Sequence, residues 1–253
     1  MMYEILQGEV PLRYAVLGEP DADRPPVLLV HGFGSNFEAN WVRTGWTGAL
    51  EGAGHRVVGV DLPGHGGSAK PHDPRCYAPD ALAGRLADLL DALGIERADA
   101  VGYSMGSRLV WQLALTRPGR VRRAVLGGFG PVNAFAGTDL DRLGTGDDSP
   151  FGALFGAVAA MPGNDAAALA ACARGQAAAP FDPEPAPPGV PLLFVAGERD
   201  ELASDVESLA AAVPGAELLR VPRRDHRNAV SAQAFKRSAD AFLAREHAVS
   251  RPS

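Results

Sequence analysis

The sequence has little of several features that mark particular classes of protein. Only two cysteines occur in 253 residues, Cys76 and Cys172, and they lie far apart. This favours two free thiols in a cytoplasmic protein, with a single structural disulfide as the alternative. No run of about 18 apolar residues is present, so no membrane span is expected. The first residues lack the basic start and apolar core of a signal peptide, and none is predicted.

The chain also lacks a net positive charge. The net charge is −6, so no basic surface indicates binding to nucleic acid or anionic lipid. Apolar residues make up 46% of the chain, which is normal for a globular protein with a full core. The length fits one large α/β domain, or one such domain with an insertion.

Apolar runs of strand length alternate with segments of helical periodicity. Strands are predicted over residues 12–17, 26–30, 55–60, 97–101, 121–126, 191–196 and 216–221. Helices are predicted over residues 46–54, 79–93, 107–115 and 228–246. Such alternation predicts a mostly parallel sheet that helices cover on both faces.

Residues 131–189 interrupt this alternation. They contain a Gly- and Asp-rich stretch, two Ala-rich helical stretches and a proline run over 180–188, but no clear strand. The segment is too long for an ordinary loop. We therefore predict a helical cap at 131–189, inserted between core segments 1–130 and 190–253.

The segment Gly102–Gly106 reads G-x-S-x-G and stands between a predicted strand and a predicted helix. A sharp turn there needs glycines on either side and holds Ser104 in a strained conformation with its hydroxyl exposed. The dipole of the following helix would favour negative charge at the same point. The motif also arises by chance in loops, but this setting favours a serine nucleophile.

A serine nucleophile needs a base and a group that orients the base. Asp200 follows the predicted strand 191–196, at the edge where open α/β sheets place their sites. It could hold an imidazole, or it could be a surface acid or the N-cap of a helix that starts near Leu202. Glu198 and Asp205 are its nearby competitors.

His226 is the candidate base because it lies between the last predicted strand and the last helix. The chain order Ser104, Asp200, His226 is the order expected for this architecture. A solvent-exposed loop histidine is the alternative. The remaining histidines occupy turns, a strand start or the C-terminal tail: His31, His55, His65, His72 and His247.

Two backbone amides are candidates to stabilise the oxyanion. The turn His31–Gly34 follows the strand 26–30, and its Phe33 N–H would act together with the Met105 N–H. A simple turn at the exit of the strand is the alternative. We expect His31 itself to be structural.

These motifs, together with the segment Asp61–Ser68, give the chain a resemblance to the α/β-hydrolase fold superfamily over nearly its whole length. The resemblance implies Ser104 as nucleophile, His226 as base and Asp200 as orienting acid, with oxyanion donors at Phe33 and Met105. It implies no cofactor and no metal. Many similar proteins carry glycine just before the histidine, where this chain has Asp225. Haloalkane dehalogenases and epoxide hydrolases share the fold but use an aspartate nucleophile, so Ser104 argues against both.

Superfamily resemblance does not determine the substrate. We expect hydrolysis of a carboxylic ester of a small to medium apolar molecule, in a pocket formed by Phe135, Phe151, Phe155 and Met161. Thioesterase, lactonase, C–C bond hydrolase, acyltransferase and cyclase activities stay open, as does a receptor without activity. A basic patch would favour a carrier-bound or CoA thioester, and its candidates are Arg142, Arg174, Arg223, Arg224 and Arg227. The protein is expected to be a monomer or a homodimer.

Overall fold

A computed structural model describes residues 1–21, 24–183 and 187–245. His247, the end of the predicted helix 228–246 and part of the proline run lie outside these ranges. The strands are β1 (Glu4–Leu6), β2 (Leu12–Leu17), β3 (Val27–Val30), β4 (Val57–Val60), β5 (Ala98–Tyr103), β6 (Val121–Gly127), β7 (Leu192–Gly197) and β8 (Glu217–Val221). All seven predicted strands are therefore present.

The eight strands form one sheet in the order β1-β2-β4-β3-β5-β6-β7-β8. The pairs β1–β2 and β2–β4 are antiparallel, and the remaining pairs are parallel. This confirms the predicted mostly parallel sheet. The chain runs outward from β3 to β4 and then returns to place β5 on the other side of β3. The carboxyl ends of β3 and β5 thus flank a topological switch point, where open α/β sheets bind ligands.

Helices cover both faces of the sheet. They are α1 (Trp46–Gly52), α2 (Pro79–Ala92), α3 (Met105–Thr116), α4 (Pro150–Ala159), α5 (Ala166–Ala177), α6 (Val206–Ala212) and α7 (Gln233–Leu243). Short 3-10 turns lie at Pro74–Tyr77 and Glu201–Ala203, and a π-helical turn lies at Glu38–Val42. No helix among the described residues has the length and apolar character needed to cross a membrane.

Two buried clusters hold the helices against the sheet. Because side chains alternate along a strand, Leu28 of β3 belongs to the cluster formed with α2, α3 and α6, whereas Leu29 belongs to the cluster formed with α1 and α7. On the second face Trp46 meets Phe235 edge-on at 4.8 Å between ring centroids. Its indole N–H donates to the Val230 carbonyl at 2.7 Å, so this large side chain is buried with its polar group satisfied.

The segment between β6 and β7 contains α4 and α5, and its described residues include no strand. Ser149 and Asp165 begin the two helices by accepting hydrogen bonds from Gly152 N–H and Ala168 N–H. The apolar faces of the helices form a separate cluster. Phe33, from the loop after β3, packs against that cluster. The segment therefore lies over the carboxyl edge of the sheet.

Two details differ from the sequence predictions. Strand β1 was not predicted, because three residues carry too little periodicity to be recognised. The last helix begins at Gln233, not at residue 228. The preceding residues form a tight turn in which the Asp225 carboxylate accepts hydrogen bonds from Arg227 N–H and Asn228 N–H. That local pattern replaces the first helical turn.

The contact between α3 and β3 leaves no room for a side chain at Gly106. A Cβ there would lie 2.0 Å from the Val30 carbonyl oxygen. We expect Gly106→Ala to lower the free energy of unfolding by about 2–3 kcal/mol, or to prevent folding, because the backbone would have to move to make room for the methyl group. Denaturant unfolding measures this. Gly84→Ala, in open space on α2, is the control and should be neutral or stabilising. Equal stability of the two variants would contradict the described contact.

A buried histidine makes stability depend on pH. Burial lowers the pKa of His65 to about 3, whereas an unfolded histidine titrates near 6.5. Between these two pKa values His65 binds a proton in the unfolded chain but not in the folded chain. The free energy of unfolding therefore falls as the pH falls through 6.5. Between pH 7 and pH 5 we expect His65 to account for about 2 kcal/mol of lost stability.

Denaturant unfolding at pH 7 and pH 5 tests this expectation. His65→Gln should reduce the difference between the two pH values, while His72→Gln should retain it, because His72 is exposed. An unchanged pH dependence in His65→Gln would show that another group is responsible.

Candidate active site

Ser104 occupies a sharp turn between β5 and α3. Its φ of 54° and ψ of −120° place it in a conformation that non-glycine residues rarely adopt. A Cβ at Gly102 would lie 2.5 Å from the Ser107 backbone nitrogen, so the helix packs directly on the strand. The turn is therefore built on glycine contacts and holds the serine hydroxyl at the carboxyl edge of the sheet, as the motif predicts.

The structure brings Ser104, His226 and Asp200 together. His226 Nε2 lies 3.0 Å from Ser104 Oγ. His226 Nδ1 lies 2.9 Å from Asp200 Oδ1 and 3.1 Å from Oδ2. The Asp200 carboxylate is buried, and the imidazole is partly exposed. An imidazole whose Nδ1–H faces a carboxylate presents its unprotonated Nε2 to the serine hydroxyl, which is the arrangement a general base needs.

Asp200 has both of the roles that the sequence suggests, because it faces the histidine and caps the 3-10 turn that follows it. Besides facing His226, its Oδ1 accepts a hydrogen bond from the Leu202 N–H at 3.1 Å. The competing acids are engaged elsewhere: Glu198 accepts from the Arg223 N–H, and Asp205 from the Ser208 hydroxyl. The cap of the short 3-10 turn thus fixes the carboxylate that faces the imidazole.

Two neighbours fix the loop that carries His226. The Tyr103 hydroxyl donates to the His226 carbonyl at 2.5 Å. Asp225, the departure from the glycine of similar proteins, accepts the Arg227 N–H at 2.9 Å and the Asn228 N–H at 3.0 Å. Its carboxylate therefore closes its own turn. Sequence reasoning did not identify Tyr103, although its position beside the serine motif was a usable signal.

The other described histidines are not in position to act on Ser104. His31 is buried, accepts the Leu62 N–H at Nε2 and donates from Nδ1 to the Gly32 carbonyl. His65 is buried, His55 faces Asp240, and His72 pairs with a surface aspartate. Burial lowers the pKa of His31, so it braces the turn as a neutral group.

Two residues that line the cavity beside Ser104 have backbone amides without a partner among the described residues. Among the described residues neither the Phe33 N–H nor the Met105 N–H makes a hydrogen bond to another group. The turn that carries Phe33 is held by the Gly32 N–H, which donates to Asn40 Oδ1 at 3.1 Å. A Cβ at Gly32 would lie 3.3 Å from the Ser104 Cβ, so the two turns are adjacent. Free N–H groups beside a nucleophile can stabilise a developing oxyanion.

A cavity of about 660 Å³ opens onto Ser104 and His226. Its walls come from the core and from the segment 131–189, and aromatic side chains form much of them. Of the four residues predicted to form the pocket, Phe135 and Phe151 line this cavity, and Phe155 and Met161 do not. Phe155 packs behind Phe33 inside the apolar cluster, and Met161 is 52% exposed outside the cavity.

Arginines near the cavity differ from the predicted basic patch. Of its five candidates only Arg227 lines the cavity, and Arg174 instead faces Asp141. Arg108, which was not predicted, lines the wall next to Ser104. Its place four residues after the serine on a helix was the signal that could have identified it. No group of three potential metal ligands occurs in the described ranges.

Comparison with known proteins agrees with this fold. A family model of the alpha/beta hydrolase fold matches residues 25–143. Epoxide hydrolase B of Mycobacterium tuberculosis is 35% identical over 133 residues, which are 53% of this chain and 35% of that protein. The sn-1-specific diacylglycerol lipase of Mus musculus is 35% identical over 132 residues, covering 52% of this chain and 41% of the lipase. The chain thus matches less than half the length of these curated relatives.

A solved structure is similar over nearly the whole chain. A hydrolase from Pseudomonas aeruginosa has a TM-score of 0.78 at 25% identity, covering 96% of this chain and 98% of that one. The sheet order, the turn at Ser104 and the family match point to one conclusion. The chain has the α/β-hydrolase fold.

Proposed function

We propose that this protein is a serine hydrolase that cleaves carboxylic esters through an acyl-enzyme. One observation carries the proposal: Ser104 Oγ, His226 and Asp200 form a continuous hydrogen-bonded row, with distances of 3.0 and 2.9 Å. A serine hydroxyl is a weak nucleophile unless an adjacent base removes its proton. The row supplies that base and holds it in the required tautomer.

The steps follow from the positions of these groups. His226 Nε2 takes the proton as Ser104 Oγ attacks the ester carbonyl. The Phe33 and Met105 N–H groups stabilise the oxyanion that forms, and the dipole of α3 adds to their effect. Collapse of the intermediate expels the alcohol, which receives its proton from His226. Water then gives a proton to His226 and attacks the acyl-enzyme, which releases the acid and restores the serine hydroxyl.

The nucleophile distinguishes this reaction from epoxide opening, the activity in the name of one similar protein. Attack of Ser104 on an epoxide would leave an alkyl ether on the enzyme, and water activated by histidine does not hydrolyse an ether. An ester of serine is hydrolysed, so the serine favours acyl transfer. The segment 131–189 also contains no tyrosine or histidine to protonate an epoxide oxygen.

The cavity favours a small to medium acyl group. Phe129, Phe135, Phe151, Leu154 and Phe181 line it, and they offer apolar surface next to the serine. A volume of about 660 Å³ is typical of sites for small molecules. A whole CoA carrier would have to remain outside it.

Ser104→Ala should abolish ester turnover without unfolding the protein. We expect kcat for p-nitrophenyl esters to fall by a factor of about 10⁴ or more, because the base has no nucleophile to activate. A chain-length series from acetate to palmitate measures this and shows the size of the acyl pocket. A fluorophosphonate probe should label the native protein and not the variant. Residual activity near that of the native protein would contradict the role of Ser104.

Tyr103→Phe should weaken catalysis while leaving the nucleophile in place. Loss of the hydrogen bond to the His226 carbonyl frees the loop, and we expect kcat to fall about 3- to 10-fold with little change in KM. Tyr14→Phe, on the remote strand β2, removes a comparable hydroxyl contact to Glu4 and is the control. Equal kcat in both variants would show that Tyr103 does not position the base.

A further inference from the structure

Arg108 stands one helical turn after Ser104, on the wall of the same cavity. Its backbone N–H donates to the Ser104 carbonyl at 3.3 Å, so the first turn of α3 begins at the serine and ends at the arginine. Both residues line the same cavity. The Arg108 guanidinium is therefore within reach of a molecule whose carbonyl lies at Ser104.

The charge of Arg108 has no carboxylate partner among the described residues. The guanidinium donates to two backbone carbonyls at the end of α5, those of Gln176 at 3.1 Å and Ala179. Burial lowers the pKa of Arg108 to about 10, and no carboxylate among the described residues raises it. The half-buried Arg122, by contrast, pairs with Asp99 at 2.6 Å. Arg108 thus brings an unbalanced cation to the cavity.

The acidic groups at the cavity do not neutralise it. Asp225 is held by the N–H groups of its own turn, and Glu201 is exposed at the surface. Two of the five guanidinium N–H groups of Arg108 are engaged, so donors remain for a further acceptor. Arginine N–H groups pair with a carboxylate in a planar, two-bonded geometry, and burial strengthens such a pair.

We propose that the substrate is an ester with a carboxylate a few carbons from the reacting carbonyl, and that Arg108 binds this carboxylate. The inference rests on the proposed ester hydrolysis and adds the substrate class. It also gives the aromatic walls a role, since they would surround the carbon chain that joins the two groups. Arg108 acts in binding and selection and takes no part in proton transfer.

Matched pairs of esters test the proposal. On the acyl side, mono-p-nitrophenyl glutarate is compared with p-nitrophenyl valerate. On the alcohol side, 4-acetoxybenzoate is compared with its methyl ester. In at least one pair the native protein should have a higher kcat/KM for the anionic ester than for the neutral ester. Arg108→Gln should reduce that preference about 10- to 100-fold, the range of a charge-assisted hydrogen bond, and leave the neutral ester within about threefold.

Two further variants separate charge from structure. Arg108→Lys retains the charge and should retain part of the preference. Arg227→Gln removes an exposed cation at the same cavity and should leave the preference unchanged. The proposal is overturned if Arg108→Gln lowers both members of each pair equally, which is the result expected of an arginine that only holds α5. It is also overturned if the native protein prefers neutral esters in both pairs.

A binding measurement distinguishes failure of the inference from failure of the proposed function. If the protein turns over no ester, calorimetric titration of Ser104→Ala with monomethyl glutarate and with methyl valerate still reports on Arg108. Binding of monomethyl glutarate but not of methyl valerate would support the carboxylate site without ester hydrolysis, provided that this binding is lost when Arg108→Gln is combined with Ser104→Ala. Absence of that binding would overturn the site.

Discussion

The structure depends on the close contact between the first turn of α3 and the end of β3. Gly106 meets the Val30 carbonyl so tightly that a Cβ would lie 2.0 Å from its oxygen. This contact lets the chain turn sharply at Ser104 and forces that residue to a φ of 54°. It also places the Met105 N–H beside the turn that carries Phe33. One packing constraint therefore determines the position of the serine and of both amides.

The remaining groups reach the same edge because the strands are parallel. The loops after β3, β5, β7 and β8 all leave the sheet at its carboxyl edge, so residues far apart in the chain become neighbours. Their positions are fixed by buried polar contacts: His31 to Leu62, Asn40 to Gly32, and Tyr103 to the His226 carbonyl. Each contact satisfies a group that would otherwise be buried without a partner. These contacts lie within the protein itself and do not depend on a bound substrate.

Much of this could be predicted from the sequence. Buried strands appear as continuous apolar runs, and a glycine-flanked serine between a strand and a helix is typical of a nucleophile turn. The histidine was found by its place after the last strand. These signals are local, because each depends on a few residues around a strand end. The sheet and the meeting of Ser104, Asp200 and His226 follow from them together with the rules of parallel sheets.

What could not be predicted depends on packing between distant segments. Phe155 and Met161 have the same apolar character as Phe135 and Phe151, but only tertiary structure decides which of them face the cavity. In the sequence Asp225 is only a departure from the glycine of similar proteins, and its role in closing a turn is visible only in the structure. Arg108 belongs to no recognisable sequence motif. Its significance arises because no carboxylate in the described part of the chain pairs with it, which a sequence does not reveal.

In the proposed reaction Ser104 carries the acyl group during turnover. Rapid acid quenching of the protein with p-nitrophenyl butyrate, followed by intact mass and peptide mapping, tests this. We predict a mass increase equal to one butyryl group, located on the peptide that contains Ser104, and its disappearance as the ester is exhausted. A butyryl group on another residue, or turnover with no acylated protein at any time, would contradict it.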